Sequence, residues 1–360
     1  MNILNFASAN KTNLNKMKDR ILVTGGTGYI GSHTVVELQN AGYEVVIVDD
    51  LSNSSADVVD NIEKITGIRP AFEQQDCRDY NALDDIFKRY TGIKAIIHFA
   101  ASKAVGESVQ KPLLYYRNNV LSLLNLLDLM QVHKVGGFVF SSSCTVYGQP
   151  DKLPVAEDAP FKKAESPYGN TKKINEDILR DTVHSGAPIN VIMLRYFNPI
   201  GAHPSALIGE LPNGVPQNLI PYLTQTAMGI RPMLKVFGDD YNTPDGSCIR
   251  DYINVVDLAK AHVTAVHRIV DGKQKNNIEA FNLGTGNGMS VLGLIHAFEK
   301  ATGVKLNYEI ADRRAGDIEQ IWANPEYANN ELGWKADTSI EDTLLSAWNW
   351  QKKLRERGIM

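Results

Sequence analysis

Cysteine is scarce in this chain. Its 360 residues hold three, Cys77, Cys144 and Cys248, too few and too scattered for a disulfide framework or a CxxC metal site. Reduced thiols in a cytoplasmic setting are the expectation. An excess of positive charge is also missing: 37 Lys and Arg stand against 41 Asp and Glu, a formal net charge of −4. That excludes binding to nucleic acid or to an anionic membrane through bulk charge, so an anionic ligand needs a local site. Long hydrophobic runs are absent too. The longest uncharged stretch, Leu211 to Ile230, is broken by Pro212, Pro216 and Pro221 and does not read as a membrane span. The opening MNILNFASANKTNLNK has no basic start followed by an apolar run, so no signal peptide is expected. Neither HExxH nor GxSxG occurs, which removes zinc-peptidase and serine-hydrolase chemistry.

What remains is an ordinary soluble composition, 43% hydrophobic and 22% charged, long enough for two domains at roughly 150 residues each. Residues 1–16, rich in Asn, read as a disordered extension or as lying upstream of an alternative start at Met17. From there short β-branched runs alternate with amphipathic stretches. The strands are expected at Ile21–Thr24, Glu44–Asp49, Ala95–Phe99, Phe138–Ser142 and Asn190–Tyr196. Helices fall near Ser32–Ala41, Leu83–Tyr90, Asn118–Gln131 and Tyr168–His184. This alternation predicts an α/β fold of the Rossmann type, a doubly wound parallel sheet over residues 17–199. After Asn198-Pro199 the texture changes to dense Pro, Gly and Asn, so a smaller mixed α/β domain is placed at 200–360. The run near 252–270, with Asp257 as the expected N-cap, is regular enough to return to the first sheet.

Two motifs carry chemistry. The first strand runs into Gly25-Gly26-Thr27-Gly28-Tyr29-Ile30-Gly31 and then a helix. Glycines at 25, 28 and 31 let the backbone turn tightly and approach a pyrophosphate, which the helix N-terminus then receives. Asp49 and Asp50 end the second strand, where an acid accepts hydrogen bonds from an adenosine ribose and repels a 2′-phosphate; NAD is favoured over NADP. Asp76, followed by Cys77, reads as the acidic end of a third strand that reaches the adenine. A second glycine cluster, Gly284-Thr285-Gly286-Asn287-Gly288, has Met289 where a third fingerprint glycine would fall. It reads as a glycine turn with Ser290 as an N-cap. The other motif is Tyr168-Gly169-Asn170-Thr171-Lys172, which puts phenol and ammonium on one helix face. A nearby ammonium favours the phenolate and so makes a base of Tyr168, while Ser143, at the end of a strand, can hold the substrate oxygen.

These residues resemble the extended short-chain dehydrogenase/reductase family. Longer segments narrow the likeness to its branch that inverts C4 of UDP-hexoses: His98–Ser108, Ser141–Gly148, Ser166–Gly169, Leu194–Pro199, Gly238–Tyr241, Arg250–Tyr252 and Arg313–Asp317. The likeness runs from about Arg20 to near Trp350. It implies a tightly held NAD that is not consumed, with Tyr168 as base, Lys172 lowering its pKa and Ser143 as the catalytic hydroxyl. It assigns the turn residues Gly25, Gly28, Tyr29, Ile30 and Gly31, together with Phe99 and Ala100, to the cofactor. Lys103, Asn118, Lys172 and Tyr196 match cofactor or sugar contacts. Asn198, Asn218, Leu219, Val236, Phe237, Arg250, Arg314 and Asp317 match the UDP-binding positions, and the two arginines suit a diphosphate. Related 4,6-dehydratases carry an Asp-Glu pair after the catalytic hydroxyl. Here those positions are Cys144 and Thr145, so dehydration is disfavoured. Three departures from the branch are Gln217 for Asn, Ala315 for Glu, and Ile321 at the position that limits sugar size. Isoleucine is smaller than the Tyr of strict glucose/galactose enzymes, so UDP-galactose/UDP-glucose activity with some tolerance of UDP-N-acetylhexosamines is expected. The family's helix pairing, with the leucine-rich 118–131 segment, implies a homodimer. The rival readings are a net oxidoreductase with exchangeable NAD and a non-catalytic nucleotide sensor.

Overall fold

The computed structural model describes residues 19–314 and 317–360; the 1–16 extension, Met17 and Ala315 lie outside the described residues. In chain order the first half forms β1 (Arg20–Thr24), α1 (Tyr29–Asn40), β2 (Glu44–Asp49), α2 (Asp57–Thr66), β3 (Ala71–Gln74), α3 (Tyr80–Arg89), β4 (Ile93–His98), α4 (Val105–Gln110), α5 (Pro112–His133), β5 (Gly137–Ser143), α6 (Pro167–His184) and β6 (Asn190–Tyr196). The second half forms β7 (Asn198–Ile200), α7 (Leu219–Ala227), β8 (Leu234–Phe237), β9 (Ile249–Asn254), α8 (Val255–Val270), β10 (Ile278–Leu283), β11 (Gly288–Ser290), α9 (Val291–Thr302), β12 (Tyr308–Ala311), β13 (Gln320–Ile321) and α10 (Ile340–Glu356).

Among the described residues the main sheet is parallel throughout, in the order β10-β6-β5-β4-β1-β2-β3. Its inner strands are largely apolar runs because both faces are covered: Ile21, Val23, Ile47, Ala95, Ile97 and Val139 pack with α1, α2 and α8 on one side. Leu22, Ile96, Phe138 and Phe140 pack with α3, α5 and α6 on the other. Each such fully buried aliphatic side chain contributes roughly 1.5–3 kcal/mol. The strand order reverses between β1 and β4. That opens a crevice at their carboxyl ends, where ligands bind in sheets of this kind.

The second half of the chain is divided between two structures. α8 lies on the main sheet against α1, and β10 extends that sheet beside β6 in register Phe281↔Leu194. The rest forms a smaller lobe in which β9 pairs with β7, β11 and β13, β8 pairs with β12, and α7, α9 and α10 bury a separate core.

Several element ends differ from the sequence reading. α5 begins at Pro112, whose fixed φ suits the first helical position, so Asn118 sits within the helix and not at its start. Asp257 does not cap α8. Asn254 does, accepting from the backbone N–H of Val256 at 2.8 Å and of Asp257 at 3.4 Å. The Asp257 carboxylate reaches across to the N–H groups of Asp337 and Thr338 (3.1 and 2.8 Å). The spacing rule found a capping residue but chose the wrong one of two within the same turn.

Candidate active site

The glycine turn sits at the crevice because β1 delivers it there. Gly25 has φ +71°, and a Cβ on it would lie 2.7 Å from the backbone N of Ala100. A Cβ on Gly31 would lie 2.1 Å from the Gly25 carbonyl oxygen. No other residue type fits either position without moving backbone. Gly28 precedes α1 and offers no side-chain cap, so the first-turn N–H groups of Tyr29, Ile30 and Gly31 remain available to an anion. Phe99 and Ala100, which follow β4, close the turn from the other side: Phe99 N–H donates to the Thr24 carbonyl at 3.0 Å.

Asp49 carries more than the role expected of it. It is buried, and its carboxylate accepts from Thr27 N–H (3.1 Å), Leu51 N–H (3.0 Å) and the Ser54 hydroxyl (3.2 Å). One of those donors belongs to the glycine turn, so Asp49 anchors the cradle itself. A carboxylate has about four acceptor positions, which leaves little more than one for a ribose. Asp50 is exposed, bonded only to Ser52 N–H at 2.9 Å. Asp76 is ion-paired with Arg78 at 2.5 Å, which holds its carboxyl below the usual range. Cys77 is buried behind it, and burial pushes its thiol far up.

The catalytic candidates come from β5 and α6. The Ser166 hydroxyl caps α6, accepting from Gly169 N–H at 3.1 Å, and Pro167 fixes the first turn, which sets where Tyr168 points. One turn later, buried Lys172 donates to the Ser141 carbonyl at 2.6 Å, with its Nζ 5.9 Å from the Tyr168 ring centre. The three consecutive serines at the end of β5 have separate partners. Ser141 Oγ bonds the Tyr196 hydroxyl, and Ser142 Oγ donates to Glu176 at 2.5 Å. Ser143 accepts from Thr145 N–H at 3.2 Å, holding the short 3₁₀ turn of Cys144–Tyr147, and its hydroxyl faces the Tyr168 phenol.

Charges in this cluster are set first by burial. It pulls the Lys172 ammonium down to about 7 against the attraction of Glu176. It pushes the Tyr168 phenol up to about 12, with Cys144 adding to the rise and the Ser143 hydroxyl opposing it. The sequence expectation that Lys172 lowers the phenol is therefore outweighed, among the protein's own groups, by desolvation. Burial also takes Cys144 up to about 12, with the Arg250 charge opposing it, so no acid stands where a dehydratase needs one. That opposing effect places Arg250, on β9, within electrostatic reach of the turn that holds Ser143.

The smaller lobe gathers the remaining candidates. Arg250 pairs in register with Ile321 across β9 and β13 and donates to the carbonyls of Ile249 (2.9 Å) and Glu319 (3.4 Å). Ile321 is buried with Cys144, Tyr147 and Phe197 in an apolar cluster at the Cys144–Tyr147 turn. Arg314 pairs with Asp317 at 2.7 Å and lies 5.6 Å over the ring of Phe237, which is exposed. Val236, its neighbour on β8, points into the core and has only backbone to offer a ligand. Asn198 opens β7 opposite Tyr252, and Leu219 opens α7 after Asn218. Tyr29 ties the two lobes by donating to the Gly201 carbonyl at 2.7 Å. Asn118 donates to Ser102 at 2.8 Å, beside Lys103.

Residues that the sequence reading passed over support these. Glu176, one turn beyond Lys172, is fully buried and bonded to Arg195 (2.7 and 2.9 Å), Arg180 (2.6 Å) and Ser142. An acid at i+8 from Tyr168 on the same helix face was the available signal. Asp251 explains the second glycine turn: it accepts from Thr285 N–H (2.9 Å), Thr285 Oγ1 (2.7 Å), Gly286 N–H (3.1 Å) and Ala323 N–H (3.1 Å). The turn holds a carboxylate of its own chain, and Ser290 caps α9 by accepting from Gly293 N–H at 3.0 Å. Among the described residues no group of three or more His, Cys, Asp or Glu is placed to hold a metal, and no helix is long and apolar enough to cross a membrane.

Glycine cradle, tyrosine–lysine pair and arginine-bearing lobe together define an extended short-chain dehydrogenase/reductase that works on nucleotide sugars, and residues 22–346 match the family described as GDP-mannose 4,6 dehydratase. A UDP-glucose 4-epimerase of Dictyostelium discoideum is 53% identical over 92% of this chain and 96% of its own length. One of Homo sapiens is 47% identical over 94% and 97%. Within that class the chain belongs to the UDP-glucose 4-epimerase family. The crystal structure of UDP-glucose-4-epimerase from Stenotrophomonas maltophila, with bound NAD and formylated UDP-arabinopyranose, superposes with a TM-score of 0.91 at 48% identity, covering 94% of this chain and 99% of that one. The Bifidobacterium longum enzyme in complex with NAD+ and UDP gives 0.88 at 48% identity, covering 93% and 98%.

Proposed function

We propose that Tyr168, Lys172 and Ser143 carry out the interconversion of UDP-galactose and UDP-glucose in this chain, with NAD held in the Gly25–Gly31 cradle and the nucleotide held by the smaller lobe. The reading rests above all on the Tyr168 phenol, which faces Ser143 at the end of β5 with Lys172 one helical turn away. The cradle fits a dinucleotide because Cβ atoms at Gly25 and Gly31 would fill it and the start of α1 is uncapped. NAD, when bound, supplies an acceptor for the C4 hydrogen with its electron pair and a positive ring charge that favours the phenolate. Tyr168 takes the 4-hydroxyl proton and returns it, Ser143 holds the C4 oxygen, and the Lys172 charge steadies the phenolate. Epimerisation needs the 4-keto sugar to turn over between the two steps, so the grip belongs on the nucleotide. Arg250, Arg314, Asn198, Asn218, Leu219, Phe237 and the Val236 backbone supply it, with Asp317 orienting Arg314. Asp49, Asp50, Asp76 and Cys77 line the adenosine end; Lys103, Asn118 and Tyr196 face the cofactor and sugar. In this reading residues 19–197 with α8 and β10 form the NAD lobe, and the UDP lobe begins at β7, two residues before the boundary expected after residue 199. The deciding assay is interconversion of the two sugars by purified protein without added NAD. Accumulation of one NADH per sugar oxidised, in place of interconversion, would favour the net oxidoreductase.

Ile321 bears on the range of sugars. Its side chain is packed into the apolar cluster beside Cys144, and it is smaller than a Tyr ring. The wild type is expected to turn over UDP-N-acetylhexosamines slowly beside UDP-galactose. Ile321→Tyr should lower the ratio of N-acetylated to plain substrate turnover; an unchanged ratio refutes a gatekeeping role.

The assembly is a homodimer through α5. Leu113, Leu121, Leu124 and Val132 are 65%, 42%, 41% and 62% exposed and fall on one stripe of that helix. Such a stripe on a soluble protein calls for a partner surface. Sedimentation at micromolar concentration should give a dimer and Leu121→Glu with Leu124→Glu a monomer; a wild-type monomer removes the proposal. The setting is the cytoplasm, which suits three buried, unpaired cysteines.

A further inference from the structure

The loop before α7 holds a carboxylate that none of the roles above uses. Glu210 is nearly buried, its side chain 10% exposed, and its Oε1 accepts from Asn218 Nδ2 at 2.6 Å and pairs with Lys103 Nζ at 3.5 Å. These two partners come from opposite sides of the crevice. Lys103 follows β4 in the cofactor lobe, and Asn218 precedes α7 in the nucleotide lobe. Asn218 occupies the N-cap position of α7, yet its side chain makes no capping bond to that helix and turns to Glu210 instead. An asparagine normally stabilises a helix from this position, so the diversion costs helix stability and needs a compensating role. The carboxylate is held from behind. Trp350 of α10 donates its indole N–H to the Glu210 carbonyl at 3.0 Å, and a Cβ on Gly209 would meet that indole at 2.6 Å. An anchored acid also stands where two phosphate-bearing ligands must approach, which is unfavourable unless it organises the cations that receive them.

Building on the proposed assignment of Lys103 and Asn218 to ligand contacts, we infer that Glu210 is a positioning residue that sets both in their receiving geometry across the crevice. Lys103 is 55% exposed on a flexible stem and without Glu210 would sample many rotamers. Asn218 would be released to cap α7. Each loss weakens binding of the UDP-sugar before any bond to C4 changes.

The test compares wild type, Glu210→Gln and Glu210→Ala. Gln keeps an acceptor for Asn218 and loses the charge that holds Lys103; Ala loses both. KM for UDP-galactose and the Kd for UDP by calorimetry should rise about tenfold in Glu210→Ala, the effect of losing one charge-assisted hydrogen bond, and less in Glu210→Gln. The kcat should stay within about twofold, because only binding common to ground and transition state is lost. Thermal midpoints should not fall, because the released Asn218 can cap α7. Overturning results are an unaltered KM and Kd in Glu210→Ala, a fall in kcat at constant KM, or a Kd that follows a lowered thermal midpoint. UDP binding is read without turnover, so failure here stays distinct from failure of the Tyr168 assignment.

Discussion

Tyr168→Phe should lower turnover of UDP-galactose by about 10²–10⁴-fold, the range for loss of a positioned acid–base group. The substitution removes one oxygen. The ring, still close to Lys172, keeps its place on the first turn of α6, because Ser166 and Pro167 fix that turn independently of the hydroxyl. UDP affinity and retained NAD should therefore be near wild type, since the cradle and the arginines lie on other elements. Turnover within about threefold of wild type would remove Tyr168 as the base. The expected loss is large because neither the thiol nor the hydroxyl beside it can replace it. The Cys144 thiol is buried and pushed up to about 12, and Ser143 lacks a histidine or carboxylate to activate it among its hydrogen-bond partners.

Glu176→Gln should cost about 3–5 kcal/mol of stability, the usual penalty for removing one member of a buried ion pair. Arg195 is 2% exposed and would lose its counter-charge, and Arg180 would lose its inner partner. Ser142 would keep an acceptor only if the amide turned its oxygen inward. Chemical denaturation measures the loss directly. A change below about 1 kcal/mol would mean that the pair is not electrostatically significant. The pH dependence has a definite sign. Burial raises the Glu176 carboxyl, but Arg195, Ser142 and Arg180 together outweigh it, so the folded value lies below the ordinary one. The group thus adds stability above the usual carboxylate range, and that contribution disappears as pH falls through the lowered folded value. The Gln variant should show a flatter acid limb. Replacing both Glu176 and Arg195 with methionine should recover part of the loss, because the pair and its desolvation cost leave together.

The parts most legible in the sequence were those where local pattern and tertiary role coincide. The cradle followed from glycine positions next to a β-branched run, and each of the five expected strands begins or ends within two residues of the observed one. Tyr168 and Lys172 share a face because their spacing is one helical turn. Less legible were features set by contacts distant in sequence. β3 is short, and its residues are partly buried or exposed with no apolar run, so it carries little signal of its own. Glu176 reads as a surface acid until Arg195 from β6 and Ser142 from β5 close over it. The identity of Asn254 as the cap of α8 depends on where Asp257 is drawn by residues 80 positions later. The α5 leucines show the same limit, since apolar character alone does not separate those that fill the core from those that face outward.

The second glycine turn has a consequence for stoichiometry. Its backbone N–H groups, arranged as they would be to enclose a phosphate, already enclose the carboxylate of Asp251, which is held at four points. A nucleotide arriving there would compete with a tethered ligand whose effective concentration far exceeds any free metabolite. Among the described residues the second turn is therefore filled by the chain itself, and of the two glycine turns the Gly25–Gly31 one is left to receive a dinucleotide.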